Sequence, residues 1–306
     1  MVPCPYGACQ TGEEESVSML SPTQKVSPDA IRRLWLVVAL AASVLLCVGC
    51  DGRQAAEPTV PPPLAIEVDV ISKTLRTQDG MVMVYVPAGT FTMGADLAPD
   101  DQSPAHDVTL DAFWLDQTEM TNAQYTLCVA AGVCAAGEYT TDRDLNAGVQ
   151  PVVGVSWHDA ESYCSWVGGR LLTEAEWEYA ARGPESRTYP WGEEQRAGLA
   201  NCSEDDCADG FTATAPVGSF ADGASWVGAV DMAGNVWEWV KDWYRGGYYG
   251  WSPAENPPGP ETGNARVLRG GSWEYNWANV RSRIRSGAGP GFRNDHVGFR
   301  CAMDTE

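Results

Sequence analysis

GRLLTEAEWEYAARG, residues 169–183, reads as one short helix with both ends written into it. The Thr173 hydroxyl can accept from the N–H of Glu176 while the Glu176 carboxylate reaches back to the N–H of Thr173, a capping box. Trp177 and Ala181 share a face four residues apart, and Gly183 after Arg182 is a C-terminal stop. Two further short helices carry start signals of the same kind. One begins at Thr121-Asn122-Ala123-Gln124 and ends at Gly132, and the other begins at Ser156-Trp157-His158-Asp159 and ends at Gly168-Gly169. MVMVYVPAGTFTMG (81–94) alternates apolar residues, turns at Ala88-Gly89 and resumes, which predicts a hairpin. VTLDAFWLD (108–116) predicts another strand, and short strands are expected at 228–232, 236–240 and 266–269. No internal repeat occurs at a fixed period.

Composition frames these elements. Of 306 residues, 44% are hydrophobic and 20% charged, with 32 Gly and 20 Pro. That suits one loop-rich domain of about 220 residues with appendages. Thirteen Trp against six Phe imply a core threaded by polar contacts, because each indole N–H needs a partner. A net charge of −21 argues against nucleic acid or anionic lipid as the partner. It suits a solvated acidic surface or bound cations.

The N-terminus reads as an export signal. Arg32-Arg33 precede the apolar run LWLVVALAASVLLCVG (34–49), which is short for a membrane span. Val48-Gly49-Cys50 resembles a bacterial lipobox, with Cys47 where leucine is usual, so residues 1–50 are expected to be a signal peptide and Cys50 the lipidated, membrane-anchored terminus. Residues 51–80, with Pro58 and Pro61-Pro62-Pro63, read as an extended linker. The folded domain is expected over 81–304.

Nine segments, in order, resemble the formylglycine-generating enzyme family, the sulfatase-modifying factors. Among them are VPAGTFTMG (86–94), TEMTNAQY (118–125), GRLLTEAEWEYAARG, DMAGNVWEWVKDWY (231–244), RVLRGGSW (266–273) and VGFRCA (297–302), with Leu172 standing where the family usually has proline. The resemblance implies an α+β, C-type-lectin-like fold with little regular secondary structure, in keeping with the Gly, Pro and Trp content. In that family two cysteines just beyond the GGS turn hold copper and oxidise a substrate cysteine. Here the chain has no cysteine between RVLRGGSW and Cys301; Tyr275, Asn279 and Val280 are the nearest occupants of those positions, and none offers a soft thiolate to Cu(I). Copper and formylglycine formation are therefore not expected. Ser272 and Trp237 match pocket positions of the family, with Tyr275 beside them.

Beyond Cys50 the chain has six cysteines, which allow fifteen pairings. Cys128 and Cys134 flank the helix end at Gly132, Cys202 and Cys207 bracket a polar loop, and Cys164 and Cys301 match a family disulfide. These three bridges are expected in an exported chain. Zinc-type C-x-x-C or H-x-x-x-H spacing is absent, and the three histidines are scattered. Calcium is the expected structural ion. The resemblance implies one site from Asn201, Cys202, Asp209 and Phe211, with carbonyls from the second and fourth, and a second from Asp231, Gly234, Val236 and Glu238. In the competing reading Asp231 and Glu238 satisfy buried backbone N–H groups instead.

Two function classes remain. One is a lipid-anchored envelope module that binds a peptide or glycan and has lost the family's chemistry. The other is an oxidoreductase of a cysteine-independent branch, resembling the pyoverdine-maturation members of the superfamily.

Overall fold

The computed structural model describes residues 71–96, 100–203 and 207–305. The export signal, Cys50 and most of the Pro-rich linker lie outside the described residues. Three helices form where the caps predict them: α1 (Asn122–Ala130), α2 (Trp157–Trp166) and α3 (Glu174–Arg182). Thr121, Ser156 and Thr173 each close a complete capping box. In each, one hydroxyl and one N3 side chain answer the unpaired N–H groups of the first turn. Among the described residues no helix is long and apolar enough to cross a membrane.

The strands are β1 (Lys73–Leu75), β2 (Val82–Val86), β3 (Gly89–Met93), β4 (His106–Leu110), β5 (Phe113–Asp116), β6 (Arg170–Leu171), β7 (Trp237–Trp243), β8 (Arg266–Arg269), β9 (Arg285–Ala288), β10 (Val297–Phe299) and β11 (Cys301–Asp304). They form a five-stranded sheet in the order β1-β2-β5-β11-β6, a four-stranded sheet β10-β7-β8-β9 and a two-stranded ribbon β3-β4. The mixture of short strands and, among the described residues, three α-helices is the α+β, C-type-lectin-like architecture.

Several expectations need correction. Residues 71–80 belong to the folded domain rather than to the linker, because β1 pairs with β2 and the Arg76 guanidinium is buried between Asp79 and Asp116, at 2.7 Å from each. β2 and β3 are not hairpin partners: β1 and β5 take both edges of β2, while β3 pairs with β4. The expected strand 108–116 breaks after Leu110, so that β4 joins the ribbon and β5 the five-stranded sheet. Residues 228–232 are not a strand. Positive φ at Gly228, Asp231, Gly234 and Asn235 curls this stretch out of extended geometry.

The five-stranded sheet separates two apolar clusters. Val84, Val86, Phe113, Leu115 and Ala302 face one, with Trp177 of α3. Met83, Cys301 and Met303 face the other, with Tyr163 and Trp239. Alternation along each strand thus fills both sides. Disulfides join Cys128 to Cys134, Cys164 to Cys301 and Cys202 to Cys207. The second ties α2 to β11 across 137 residues of sequence.

Every residue of α3 is buried, including Glu174, Glu178 and Arg182. Charges survive there because each finds a partner. Arg285 grips Glu174 through Nε at 2.7 Å and its terminal nitrogen at 2.6 Å. Glu178 accepts from Arg182 on its own helix and from Arg269 of β8.

Candidate functional site

The segment DMAGNVWEW runs from a left-handed turn into β7. Asp231, Gly234 and Asn235 have φ of 60°, 78° and 56°. Gly234 is required: a Cβ there would lie 1.9 Å from the Asn201 carbonyl oxygen. That close approach lets Asn235 stitch two segments together. Its N–H donates to the Asn201 carbonyl at 2.8 Å, and its Oδ1 accepts from Asn201 Nδ2 at 3.1 Å and from the Ala215 N–H at 2.8 Å.

The residues expected at the first calcium site come together here. Asp209 accepts from the N–H groups of Cys202 and Phe211, both at 2.9 Å. The Asn201 side chain, 1% exposed, has a buried Oδ1 with no hydrogen-bond partner. At the second site the arrangement differs from the expectation. Glu238 is not an open ligand: Oε2 accepts from Arg300 Nε and Trp177 Nε1, each at 2.8 Å, and Oε1 from an Arg300 terminal nitrogen at 2.8 Å. Asp231 accepts the Gly218 N–H at 2.6 Å.

A residue to which the sequence reading gave no role completes this cluster. Glu119 is fully buried; no N–H or hydroxyl donates to its carboxylate oxygens, and its carboxyl group pairs with that of Asp231. Burial first, and then the nearby Asp231 and Glu238 carboxylates, hold its pKa well above the usual range. Burial raises that of Asp231 as well. Arg300 is the cation facing the three acids. The signal lay inside TEMTNAQY, where Glu119 precedes Met120, a residue hydrogen-bonded through its backbone to Phe299 and Val152. No group of three or more His, Cys, Asp or Glu side chains is arranged to hold a metal among the described residues, so an ion here would need carbonyl or amide oxygens too.

The pocket residues are brought together, lined by rings rather than thiols. Trp237, 5% exposed, meets Tyr275 edge to face at 5.7 Å, and Tyr275 meets His296 the same way at 6.1 Å. His296 Nδ1 lies 3.2 Å from Asp295 and 3.3 Å from Glu274. Ser272 is fully buried with an unpartnered Oγ. Its carbonyl accepts the Tyr275 N–H at 3.0 Å, closing the turn. Val280 is fully buried beside Gly271, whose added Cβ would meet Val280 Cγ1 at 2.8 Å. Each cysteine of the described residues lies in a bridge, so no thiolate faces this loop.

The folded domain resembles known proteins along its whole length. Residues 69–305 match the family model described as a sulfatase-modifying factor enzyme 1-like domain. The formylglycine-generating enzyme of Streptomyces coelicolor is 36% identical over 73% of this chain and 89% of its own. Serine/threonine-protein kinase Pkn1 of Chlamydia trachomatis is 32% identical over 97% of this chain, which spans 50% of Pkn1. Among solved structures, PvdO from Pseudomonas aeruginosa superposes with a TM-score of 0.67 at 31% identity, covering 76% of this chain and 98% of PvdO.

Proposed function

The chain belongs to the sulfatase-modifying factor family, and we propose that it is a member without formylglycine-generating activity, serving as an exported, lipid-anchored module that recognises a peptide or glycan. One observation carries this reading: the loop after Ser272 holds Tyr275 and Val280, and the next cysteine, Cys301, is bound to Cys164. Copper(I) chemistry on a substrate thiol needs soft sulfur ligands that this loop does not supply. Purified protein given copper, oxygen and a sulfatase-type Cys-x-Pro-x-Arg peptide should leave the peptide mass unchanged. Appearance of the aldehyde product would sink the reading.

A second reading has an observation in its favour. His296, flanked by Asp295 and Glu274 and packed on Tyr275, offers a proton-transfer group without any cysteine. It suits an oxidoreductase of a cysteine-independent branch of the superfamily.

Calcium belongs to the same proposal. The orphaned Asn201 Oδ1 and the paired Glu119 and Asp231 carboxyl groups are buried oxygens that a hard cation would satisfy. Asn201 and Asp209, with the carbonyls of Cys202 and Phe211, would hold one ion. Asp231 and Glu119, with the carbonyls of Gly234 and Val236, would hold the other. Glu238, committed to Arg300, fits poorly as a ligand. Export rests on the apolar run 34–49. Incorporation of a palmitate analogue, lost in Cys50→Ser, would support the anchor, and an unlabelled wild-type chain would remove it.

A further inference from the structure

Trp251 is 55% exposed, yet its ring is fixed. It stands perpendicular to the buried Tyr248, with centroids 4.7 Å apart at 88°, and the Arg245 guanidinium lies 5.9 Å from its centroid. These residues line an open groove of about 400 Å³ with Pro253, Pro258 and Glu261, a volume within the range of small-molecule sites.

The groove is preformed. The Thr109 N–H of β4 donates to the Ala254 carbonyl at 2.7 Å, and the Asn256 N–H returns to the Thr109 carbonyl at 2.9 Å. The Asn256 side chain accepts the Asp111 N–H and donates to the Asp111 carboxylate, both at 2.9 Å. At the far end Gly259 lies so close to Asp242 that a Cβ would sit 2.4 Å from its Oδ1. A ligand therefore meets a platform whose ordering cost is already met by the fold.

We propose that this groove binds a neutral pyranose sugar, stacked on Trp251, which would make the recognised partner a glycan. The proposal rests on the recognition-module reading and narrows its ligand. Three observations select the occupant. First, the groove exposes a single flat ring: Tyr248 is 2% exposed and serves as the brace. One braced indole suits the apolar C–H face of one pyranose, whereas a polyproline helix needs aromatic ridges on both sides. Second, the loop has Pro at 253, 257, 258 and 260. These residues lack N–H groups, so the rim offers no run of main-chain donors for an extended peptide. Third, the rim carries one cation and one anion, Arg245 and Glu261, with the Thr262 hydroxyl. Opposite charges cancel locally in a protein of net charge −21, and paired donors and acceptors match hydroxyl groups rather than an ionic ligand.

The test is saturation-transfer NMR on the full chain in mild detergent, with cellobiose, maltose, N,N′-diacetylchitobiose and a proline decapeptide as separate probes. At about 10 mM probe, a level that reaches millimolar ligands, at least one disaccharide should receive transfer at its ring protons. Trp251→Ala should weaken that binding at least about tenfold with the melting temperature unchanged. Glu261→Ala, which leaves the Tyr248–Trp251 pair intact, should weaken it less. Silence from all three disaccharides overturns the proposal, as does binding that survives Trp251→Ala. Trp251-dependent binding of the proline decapeptide alone assigns the groove to a peptide and overturns it too. The copper assay reads the loop after Ser272 and this titration reads Trp251, so either can fail alone.

Discussion

Glu119 and Arg300 carry the chemistry of the buried cluster. Three carboxylates, Glu119, Asp231 and Glu238, face one guanidinium, and Arg300 spends its hydrogen bonds on Glu238 and on the carbonyls of Asp116, Gln117 and Val230. Without a further cation, burial and the neighbouring Asp231 and Glu238 carboxylates favour the protonated form of Glu119. With calcium bound, the pair Glu119 and Asp231 can ionise against it. Free calcium at about 100 times Kd should then add about 2.7 kcal/mol, which raises the melting temperature by roughly 5–10 °C for a domain of this size. Glu119→Gln should remove most of that rise. In EDTA the same variant should be as stable as wild type or more so, since it deletes a buried acid that repels its neighbours. A wild-type melting curve indifferent to calcium and EDTA would leave Glu119 as a protonated structural acid and reject the second ion.

At the level of elements, capping explains why the helices were legible. α3 begins where Thr173 and Glu176 exchange hydrogen bonds, Glu176 accepting the Thr173 N–H at 2.7 Å and Thr173 the Glu176 N–H at 3.2 Å. Thr173→Ala should therefore cost about 1 kcal/mol, measured by denaturant unfolding. A loss within error would mean that burial of the whole helix, rather than its cap, fixes its start. β8 was equally readable from its run Arg266–Arg269. What the sequence hid is pairing. The alternation in residues 81–94 correctly marks two extended segments, but it cannot reveal that β1 and β5 claim both edges of β2. The bend at 228–235 was hidden because its positive φ angles fall partly on Asp231 and Asn235, residues that tolerate the left-handed region without being required there. At the site, the motifs that carry the family resemblance singled out Asn201, Asp209 and Asp231. They gave no sign of the meeting of Glu119 and Arg300, which lie 181 positions apart in the numbering and come together only through the fold. The full burial of α3 was equally invisible, since the arginines that answer Glu174 and Glu178 arrive from β9 and β8, about a hundred residues further along the chain.

Across the whole molecule, this ionic core makes stability depend on pH in two opposite directions. Asp242 is buried and accepts from the Glu174 N–H at 2.8 Å. Burial first, and then the Glu174 carboxylate, push its pKa up to about 8 from an ordinary 3.8, against the opposing pull of Arg285. Between those two values the folded chain holds a proton that the unfolded chain has released. Its contribution is thus fully present below pH 3.8, shrinks as pH rises and is gone above about 8. The slope cannot exceed about 1.4 kcal/mol per pH unit for one such group. Glu178 and Asp79 act in the other sense. Despite burial, the Arg269 and Arg182 guanidinium groups hold Glu178 below the usual carboxylate range, and Arg76 does the same for Asp79. Their contribution is present above the ordinary carboxylate pKa and is lost as pH falls through their folded values. Stability should therefore peak in mildly acidic solution and decline toward pH 8. Asp242→Asn keeps an oxygen for the Glu174 N–H and removes one titration, so its unfolding midpoint should lose part of the decline between pH 5 and 8 that the wild type shows, the remainder belonging to Asp116, Glu119 and Asp231, which burial also pushes up. Parallel midpoints for the two proteins across that window would mean that Asp242 is ionised in the fold, and that Arg285 neutralises it along with Glu174.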